Sequence, residues 1–225
     1  IHYGEVAHFM TNYMTTHTFH LIETAAEQMA RAVLLHFPGM EAVTLEVRKP
    51  WAPIGLPLEA VSVEITRSWH RAYVALGSNL GDREGYIRRG VESLDSREDC
   101  VVERMSRLME TKPYGVEEQP DFLNGMVELR TLLLPEELLD VLHQVEREAN
   151  RERKVHWGPR TLDLDIIFYD DCIVDTQELQ IPHPDMENRE FVLQPLAELA
   201  PYLRHPLNGK TVAQMLEKVQ GKETV

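Results

Sequence analysis

The sequence predicts a mixed protein of α-helices and β-strands, of the α/β or α+β class, organised as two domains. Stretches with helical spacing of apolar residues alternate with strand-like stretches, and no internal repeat or low-complexity tract appears. A length of 225 residues allows one large or two small domains. A short polar joint at 68–71 separates a first domain, 1–67, from a second, 72–225.

The first domain is predicted to contain two helices followed by two strands. The polar run 12–18 separates two helical stretches, and Pro38 ends the second of them. Alternating apolar and polar residues over 43–47 and 61–65 predict two half-buried strands, with a stiff, proline-rich loop at 49–57 between them. Two strands alone are marginally stable, so we expect further strands upstream, partner subunits, or both.

The second domain begins with a strand, a turn and a helix. We predict a strand at 72–76, a turn at 77–79 and a helix that starts after Asp82. Two further strands are predicted at 100–109 and 122–132.

The remaining elements of the second domain alternate between helix and strand. Pro135 opens a helix, as proline commonly does in a first helical turn. A basic loop at 151–160 leads into a strand at 162–169, and helices near 190–199 and 211–219 follow.

The composition is acidic and excludes some functions. The chain has 23 Lys+Arg against 37 Asp+Glu, a net charge of −14, and a pI near 5.1. This balance argues against a dedicated DNA- or RNA-binding protein, but not against a nucleotide bound together with a metal ion. No apolar run reaches the about 18 residues of a membrane span, so we expect no membrane partner.

The cysteines favour a reducing compartment. Cys100 and Cys172 are too few for a disulfide framework and have no partners at zinc-ligand spacing. We therefore expect a cytoplasmic protein. An organellar matrix stays open, because the chain begins at Ile1 and any targeting segment ahead of it would not be seen.

The strongest local signal is the pair Asp163 and Asp165. In a strand these side chains project from one face while Leu162, Leu164 and Ile166 project from the other. Their Cα atoms would lie roughly 6.5 Å apart, and two carboxylates that close repel each other unless a cation lies between them. Mg²⁺ suits this place because it takes oxygen ligands and is shared with phosphates. The alternative is an edge strand with a solvated acidic face.

The segment 147–160, directly ahead of the predicted strand with the two aspartates, is rich in cationic residues. Clustered Arg suits bidentate contacts to phosphate, and Trp157 presents an indole beside these charges. Carboxylates that bind a metal next to an Arg-rich loop are what polyphosphate transfer requires. The alternative is a solvated loop that balances local acids. The cationic residues are Arg147, Arg151, Arg153, Lys154 and Arg160.

Other motifs are ambiguous or absent. The P-loop pattern is missing, since only its tail occurs at 208–211, and the segment 77–81 is typical of a turn and a helix cap. His183, held between two prolines, is either structural or a nucleotide contact.

Several segments occur in the order of a known enzyme family. The stretch 72–219 resembles 6-hydroxymethyl-7,8-dihydropterin pyrophosphokinase, an enzyme of folate synthesis. This resemblance implies a ferredoxin-like α/β fold and transfer of pyrophosphate from ATP to the pterin hydroxymethyl group, with release of AMP. The matching segments are Ala75–Gly81, Gln119–Asn124, Trp157–Ile166, Ile181–Pro184 and Asn188–Leu193.

The resemblance also implies roles for individual residues. Asp163 and Asp165 would hold two Mg²⁺ ions that bridge the ATP phosphates, while Arg151 and Arg160 would steady the phosphates during transfer. Asn124 would read the pterin edge. Further nucleotide contacts would be Glu146, Arg153, Lys154, Trp157, Ile166, His183 and Arg189. Further pterin contacts would be Thr111, Pro113, Tyr114, Gly115, Phe122 and Phe191, and Phe122 stands where the family often has Tyr.

The stretch 2–67 resembles the C-terminal part of dihydroneopterin aldolase, through the segments 3–6, 21–23 and 47–50. The resemblance implies a partial tunnelling-fold (T-fold) domain in an overall α+β protein. Glu23 would anchor the pterin. Lys49 and Tyr3 would serve the acid–base chemistry that splits dihydroneopterin into glycolaldehyde and the hydroxymethyl pterin. From spacing alone, Lys49 is equally a surface lysine at a strand end.

The two resemblances are chemically connected, because the product of the aldolase is the acceptor of the pyrophosphokinase. The leading interpretation is a bifunctional enzyme that forms homo-oligomers through its aldolase-like domain, since that family assembles into rings. The alternatives are a pyrophosphokinase whose first domain is an assembly scaffold, and a catalytically silent pterin- or nucleotide-binding protein. The intact pair of carboxylates and Arg160 speak against the silent protein.

Overall fold

The computed structural model describes residues 1–55, 57–114, 118–149 and 160–222. The chain divides into two compact units, Ile1–Trp69 and His70–Val225. Both contain helices and strands, which confirms the predicted mixture of helix and sheet. Within the described ranges, no helix combines the length and apolar character of a membrane span.

The first unit contains helices α1 (Tyr3–Thr16) and α2 (Ile22–His36) and strands β1 (Ala42–Lys49) and β2 (Val61–Ser68). The two strands pair antiparallel along their whole length. The break predicted at 12–18 is shorter than expected, because helix α1 continues through its threonines. Their hydroxyl groups donate to carbonyl oxygens one turn earlier within the helix, which lets them stay helical.

The core of the first unit lies between α2 and one face of its sheet. Met29, Ala30 and Val33 are buried against Leu45. The opposite face is polar, and there the hydroxyl groups of Thr44 and Thr66 lie 2.8 Å apart. This is the half-buried pattern that the alternation in both strands predicts.

The second unit is built on an antiparallel sheet with the strand order β4-β6-β3-β7, and β5 also pairs with β6. A separate hairpin joins β8 to β9, and a single 3₁₀ turn precedes α5. The elements are β3 (His70–Ser78), α3 (Arg83–Asp95), β4 (Cys100–Met105), β5 (Met109–Thr111), β6 (Phe122–Thr131), α4 (Pro135–Glu148), β7 (Asp163–Tyr169), β8 (Val174–Asp175), β9 (Gln180–Ile181), α5 (Glu190–Leu199) and α6 (Val212–Lys222).

Helices cover both faces of this sheet. Alternate residues of β3, such as Val74 and Leu76, pack with Ile87 of α3 and Leu142 of α4. The intervening residues face the other side, where Tyr73 belongs to a second core with α5 and α6. The central strand is therefore buried on both faces.

Several element boundaries differ from the predictions. Strand β3 extends in both directions, so Gly77 and Ser78 are its last residues and not part of a turn, and the joint at 68–71 shrinks to Trp69. The stretch 100–109 is divided between β4 and β5, because strand structure is interrupted at 106–108. There the Ser106 amide donates to the Met126 carbonyl, and the Ser106 hydroxyl accepts from the Met126 amide. A bond from a backbone amide to a serine hydroxyl has no periodicity that a sequence would reveal.

Gly90 of helix α3 lies close to Leu162, the residue directly ahead of strand β7 and its two aspartates. A substitution at Gly90 tests how closely the helix packs there. A Cβ atom at Gly90 would lie 2.8 Å from Leu162 Cδ2 and 3.7 Å from Val145 Cγ1. We expect Gly90→Val to lower the free energy of unfolding by about 1–3 kcal/mol, because the extra atoms overpack the core. Urea denaturation of the whole chain measures this change.

Gly221→Ala is the matched control, since no atom lies within 4 Å of a Cβ placed at that helical glycine. It should leave the free energy of unfolding unchanged or raise it by up to about 1 kcal/mol. Equal stability of the two variants would show that α3 does not approach Leu162 this closely.

Candidate active site

The site lies at the end of the central strand β3, on the face covered by α5. Gly77 of β3 pairs with Asn124 of β6 on one side and with Asp163 of β7 on the other. Asp165 follows on the same face of β7, opposite Ala75. The two aspartates, which are predicted to bind metal, and Asn124, which is predicted to contact the pterin, therefore lie on opposite sides of Gly77.

The predicted alternation along β7 is confirmed. Asp163 and Asp165 are half-buried, whereas Leu162, Leu164 and Ile166 lie in the core on the opposite face. The two aspartates lie on one face of the strand and are not sealed inside the core. A one-residue slip of β7 would exchange these two faces.

Arg160 lies directly beside the carboxylate pair. Its Nη1 atom donates to Asp163 Oδ2, and its guanidinium carbon lies 6.0 Å from the centre of the Phe122 ring. The side chains of Arg160 and Asp163 are 22% and 16% exposed, so the pair is partly shielded from water. Positive charge thus adjoins the carboxylates on the side that faces Phe122.

Gly77 leaves space between the two halves of the site. A Cβ atom there would lie 3.2 Å from Asn124 Oδ1 and 3.5 Å from Asp163 Cβ. The Phe122 ring would be 4.0 Å away. Any side chain at position 77 would therefore occupy the passage between Asn124 and Asp163.

Asn124 is held in one orientation. Its side-chain nitrogen donates to Thr111 Oγ1 over 2.6 Å, and only 7% of the residue is exposed. Thr111 ends strand β5, which pairs with the start of β6. The neighbouring Pro113 is half-buried. This arrangement fixes an amide that offers both a donor and an acceptor type of atom to a heterocycle.

Two aromatic rings and a guanidinium group cluster on the α5 side. The Tyr114 and Phe191 rings lie 6.0 Å apart, and the Arg189 guanidinium carbon lies 5.4 Å and 5.8 Å from their centres. Arg189 Nε donates to Asp185 Oδ2 over 2.9 Å. The hydrogen bond from Asn188, together with Arg189, lowers the pKa of the Asp185 carboxyl. Asp185 stays charged and holds the guanidinium against the rings.

His183 is neutral in this setting. Burial, and then the Arg189 charge, lower the pKa of its imidazole below the ordinary value of 6.5. Its Nδ1 atom accepts a hydrogen bond from the Asp185 amide over 3.3 Å, so we assign the ring proton to Nε2. The backbone amide of His183 donates to the Ile167 carbonyl, which ties this loop to β7.

Glu146 and Ile166, both predicted nucleotide contacts, have structural surroundings. Glu146 is 3% exposed, and its Oε1 atom accepts from the Leu164 amide over 2.8 Å. The Ile166 side chain is 4% exposed and lies in the core. Glu146 therefore anchors the backbone between the two aspartates.

Several predicted residues lie outside the described part of the chain: Gly115, Arg151, Arg153, Lys154 and Trp157. The residues of the aldolase-like region are described. Tyr3, Glu23 and Lys49 are all exposed, on α1, α2 and the end of β1. No hydrogen bond or ion pair joins these three side chains within the described residues of the first unit.

The donors present fit Mg²⁺ shared with a substrate. Among the described residues, no group of three or more His, Cys, Asp or Glu side chains could hold a metal ion. Two carboxylates suffice when phosphate oxygens and water supply the other ligands, which is how Mg²⁺ is commonly bound.

Sequence reasoning gave no role to Gly77 or Asn79, which it assigned to a turn and a helix cap. Gly77 separates the two halves of the site, and Asn79 is 2% exposed at the end of the same strand. The signal that could have found them is their place directly after a fully apolar strand, where functional side chains commonly lie.

Paired carboxylates beside an arginine, with an amide and aromatic side chains close by, are typical of enzymes that transfer phosphoryl groups. The family model described as 7,8-dihydro-6-hydroxymethylpterin-pyrophosphokinase matches residues 73–201, and the model described as dihydroneopterin aldolase matches residues 1–66. The chain belongs to the 7,8-dihydro-6-hydroxymethylpterin-pyrophosphokinase family. The predicted folate-synthesis pyrophosphokinase preceded by an aldolase region is confirmed.

Known proteins resemble each part of the chain. A Bacillus subtilis 2-amino-4-hydroxy-6-hydroxymethyldihydropteridine pyrophosphokinase is 49% identical over 128 residues, covering 57% of this chain and 77% of that protein. The folic acid synthesis protein fol1 of Schizosaccharomyces pombe is 32% identical over 229 residues, covering 96% of this chain but only 31% of that protein. Both regions of the chain therefore lie side by side in a longer fungal relative.

A solved structure shares the fold. The Plasmodium falciparum HPPK-DHPS crystal structure with pterin and p-hydroxybenzoate has a TM-score of 0.56 and 15% sequence identity. The match covers 70% of this chain and 44% of that one.

The two buried histidines predict loss of stability in acid. Burial lowers the pKa of His183 and of His205 below 6.5, so the unfolded chain binds more protons than the folded chain between the lowered values and 6.5. Stability therefore falls as the pH decreases through this window. We expect a lower Tm at about pH 5.5 than at about pH 7.5, and the double variant H183Q/H205Q should narrow that difference.

Scanning calorimetry of the full chain measures both values. His20→Gln is the control, because His20 is exposed in the first unit. Two results would contradict this account. In one, the double variant keeps the parental difference in Tm between the two pH values. In the other, the control variant reduces that difference as much as the double variant does.

Proposed function

We propose that this chain transfers pyrophosphate from ATP to the hydroxymethyl group of 6-hydroxymethyl-7,8-dihydropterin, and that the residues around Gly77 carry the transfer. The single observation that supports this most is the register of β3. It places Asp163 and Asn124 on opposite sides of Gly77, so that a phosphate and a pterin would meet over one glycine.

Asp163 and Asp165 form the metal side of the proposed site. When bound between these carboxylates and the phosphates, Mg²⁺ would neutralise charge on the transferring group, and we propose two such ions. Arg160 lies close enough to Asp163 to steady the same phosphates. Arg151, from the basic loop, is proposed to act with it. Further proposed nucleotide contacts are Glu146, Arg153, Lys154, Trp157, Ile166, His183 and Arg189.

The structure limits which atoms of Ile166 and His183 could contact a nucleotide. Ile166 would reach a nucleotide only through its backbone, because its side chain lies in the core. His183 would offer a neutral Nε2–H donor to a phosphate or ribose oxygen, since its pKa is lowered.

The pterin side consists of a fixed amide and aromatic surfaces. Asn124, oriented by Thr111, would read the ring edge, while Phe122 and Phe191 would stack on its faces. Pro113, Tyr114 and Gly115 would line the same cavity. The hydroxymethyl oxygen would form a bond to the β-phosphorus of ATP while the bond from that phosphorus to the α-phosphate oxygen breaks. AMP leaves with that oxygen, and the hydroxyl proton passes to water. Positioning and charge neutralisation supply most of the catalysis in such transfers.

The finer fold and assembly are also proposals. We propose a ferredoxin-like arrangement for the second domain, 72–225, supported by its antiparallel sheet and helices. We propose a partial T-fold for the first domain, 1–67, supported by two helices on a two-stranded sheet. A homo-oligomer would complete this sheet. The free cysteines Cys100 and Cys172 suit a reducing cytoplasm.

The aldolase activity is proposed on the match of the first region to its family. Tyr3, Glu23 and Lys49 are exposed and lie on three different elements of one unit, and we propose that a working site combines them with side chains of neighbouring subunits. The same observation favours a second candidate function, in which the first domain is an assembly scaffold and only the pyrophosphokinase is active.

Replacement of Asp165 tests the metal site. We expect D165N to lower the rate of AMP formation from ATP and 6-hydroxymethyl-7,8-dihydropterin by about 10²-fold or more, because half of the carboxylate charge is removed from the transferring phosphates. Asp175→Asn is the matched control, since Asp175 is exposed and accepts a hydrogen bond from Gln180 over 2.8 Å. Unchanged turnover in D165N would remove the proposed metal site.

Replacement of Lys49 separates the two activities. In the full-length natural protein, we expect K49M to abolish glycolaldehyde release from dihydroneopterin while AMP formation stays within about twofold. D165N should instead lower AMP formation and leave glycolaldehyde release within about twofold. If the unaltered protein releases no glycolaldehyde, the scaffold role is supported and the aldolase proposal fails.

A further inference from the structure

Asn79 joins three segments of the second unit through its side chain and backbone. Its Oδ1 atom accepts from the Arg160 amide over 2.8 Å, and its own amide donates to the Arg160 carbonyl over 3.1 Å. Its side-chain nitrogen donates to Gln119 Oε1 and to the Pro120 carbonyl, each over 3.1 Å. With 2% exposure, the residue makes these bonds away from water.

The hydrogen bonds of Asn79 form two sets, or arms, one to Arg160 and one to Gln119 and Pro120. The first arm holds the Arg160 backbone. The two bonds to the Arg160 backbone hold the residue that enters β7 and pairs with Asp163. Because the Arg160 backbone is held at both its amide and its carbonyl, its guanidinium group has less freedom to turn away from the carboxylates. This arm therefore acts on the phosphate side of the site.

The second arm fixes the entry into β6. Pro120 and Asp121 directly precede Phe122, and Arg83 Nη1 donates to the Asp121 carbonyl over 2.7 Å. Asn79, directly after β3, and Arg83, the first residue of α3, thus bind two successive carbonyl groups ahead of β6. Phe122 and Asn124 follow within four residues on the pterin side, so a movement of this segment moves their side chains.

We propose that Asn79 is a positioning residue that couples the two halves of the site, so that ordering of Arg160 by a nucleotide is passed to the segment that orders Phe122 and Asn124 for the pterin. This proposal rests on the proposed function for the identity of the two ligands. Its physical basis is that one buried amide holds backbone groups on both sides, and a buried amide that loses a partner leaves unsatisfied polar groups behind.

Asn79→Asp separates the two arms. The Asp carboxylate keeps an oxygen that accepts from the Arg160 amide, but it loses the donor to Gln119 and Pro120 and faces their oxygens with negative charge. Asn79→Ala removes both side-chain arms and leaves the backbone bond to the Arg160 carbonyl.

The measurement is heterotropic coupling in the full chain. The Kd of 6-hydroxymethylpterin, an oxidised and unreactive acceptor, is determined with and without saturating Mg²⁺ and a non-hydrolysable methylene analogue of ATP. We expect the nucleotide analogue to tighten pterin binding about tenfold or more in the parent chain, a common size for coupling between sites. In N79D, the analogue alone should bind within about threefold of the parent, while the coupling falls below about threefold.

Asn208→Ala is the matched control. Asn208 has the same pattern of one accepted and one donated side-chain bond, from the Lys210 amide over 2.9 Å and to Glu187 over 2.6 Å. It lies on an exposed loop. Its loss should leave the coupling at the parental value.

Gln119→Leu provides a second test if the Asn79 variants do not fold, since it removes one acceptor of the pterin-side arm. Folded variants of Asn79 or Gln119 that keep the parental coupling would overturn the proposal, and so would a parent chain that binds both ligands independently. A parent chain that binds neither ligand would instead contradict the proposed function. A purely structural role would lower Tm without changing the coupling.

Discussion

The site depends on the register with which the central strand β3 pairs with two neighbours at once. Gly77 lies opposite both Asn124 and Asp163 because β6 and β7 are antiparallel to β3 and both begin near the level of its last residues. Since strand side chains alternate, a slip of one residue would turn Asp163 and Asp165 into the core and expose leucines in their place. The apolar residues of β7, packed against α3 and α4, therefore fix where the carboxylates point.

Hydrogen bonds at both edges of β7 reinforce this register. Glu146 satisfies the Leu164 amide between the two aspartates, and Asn79 holds the Arg160 backbone just ahead of them. Two neighbouring carboxylates repel each other, so such a pair is stable only where cations and rigid backbone oppose the repulsion. Arg160 supplies a cation from the chain itself. Hydrogen bonds of the chain itself thus hold Arg160 against Asp163 and fix the backbone on both sides of Asp163.

The two units differ in how far they are complete within this chain. The second unit buries its sheet on both faces, with α3 and α4 on one side and α5 and α6 on the other. The first has two strands with helices on one face and a polar opposite face. Its predicted functional residues are exposed and lie on three different elements, whereas Asn124 and Asp163 of the second unit lie on either side of Gly77 at one end of β3.

The sequence alone determined the mixed class, most helices and strands, the family and the outward face of the carboxylate pair, because periodicity and dense local motifs are properties of neighbouring residues. Only the tertiary structure decided that β3 runs through Gly77, that Glu146 binds the Leu164 backbone, and that Asn79 joins Arg160 to Pro120. Arg104 and Arg71 likewise pair with the buried Glu128 from different strands. These contacts join residues far apart in the chain, and the sheet that brings them together forms through backbone hydrogen bonds that carry no residue-specific pattern.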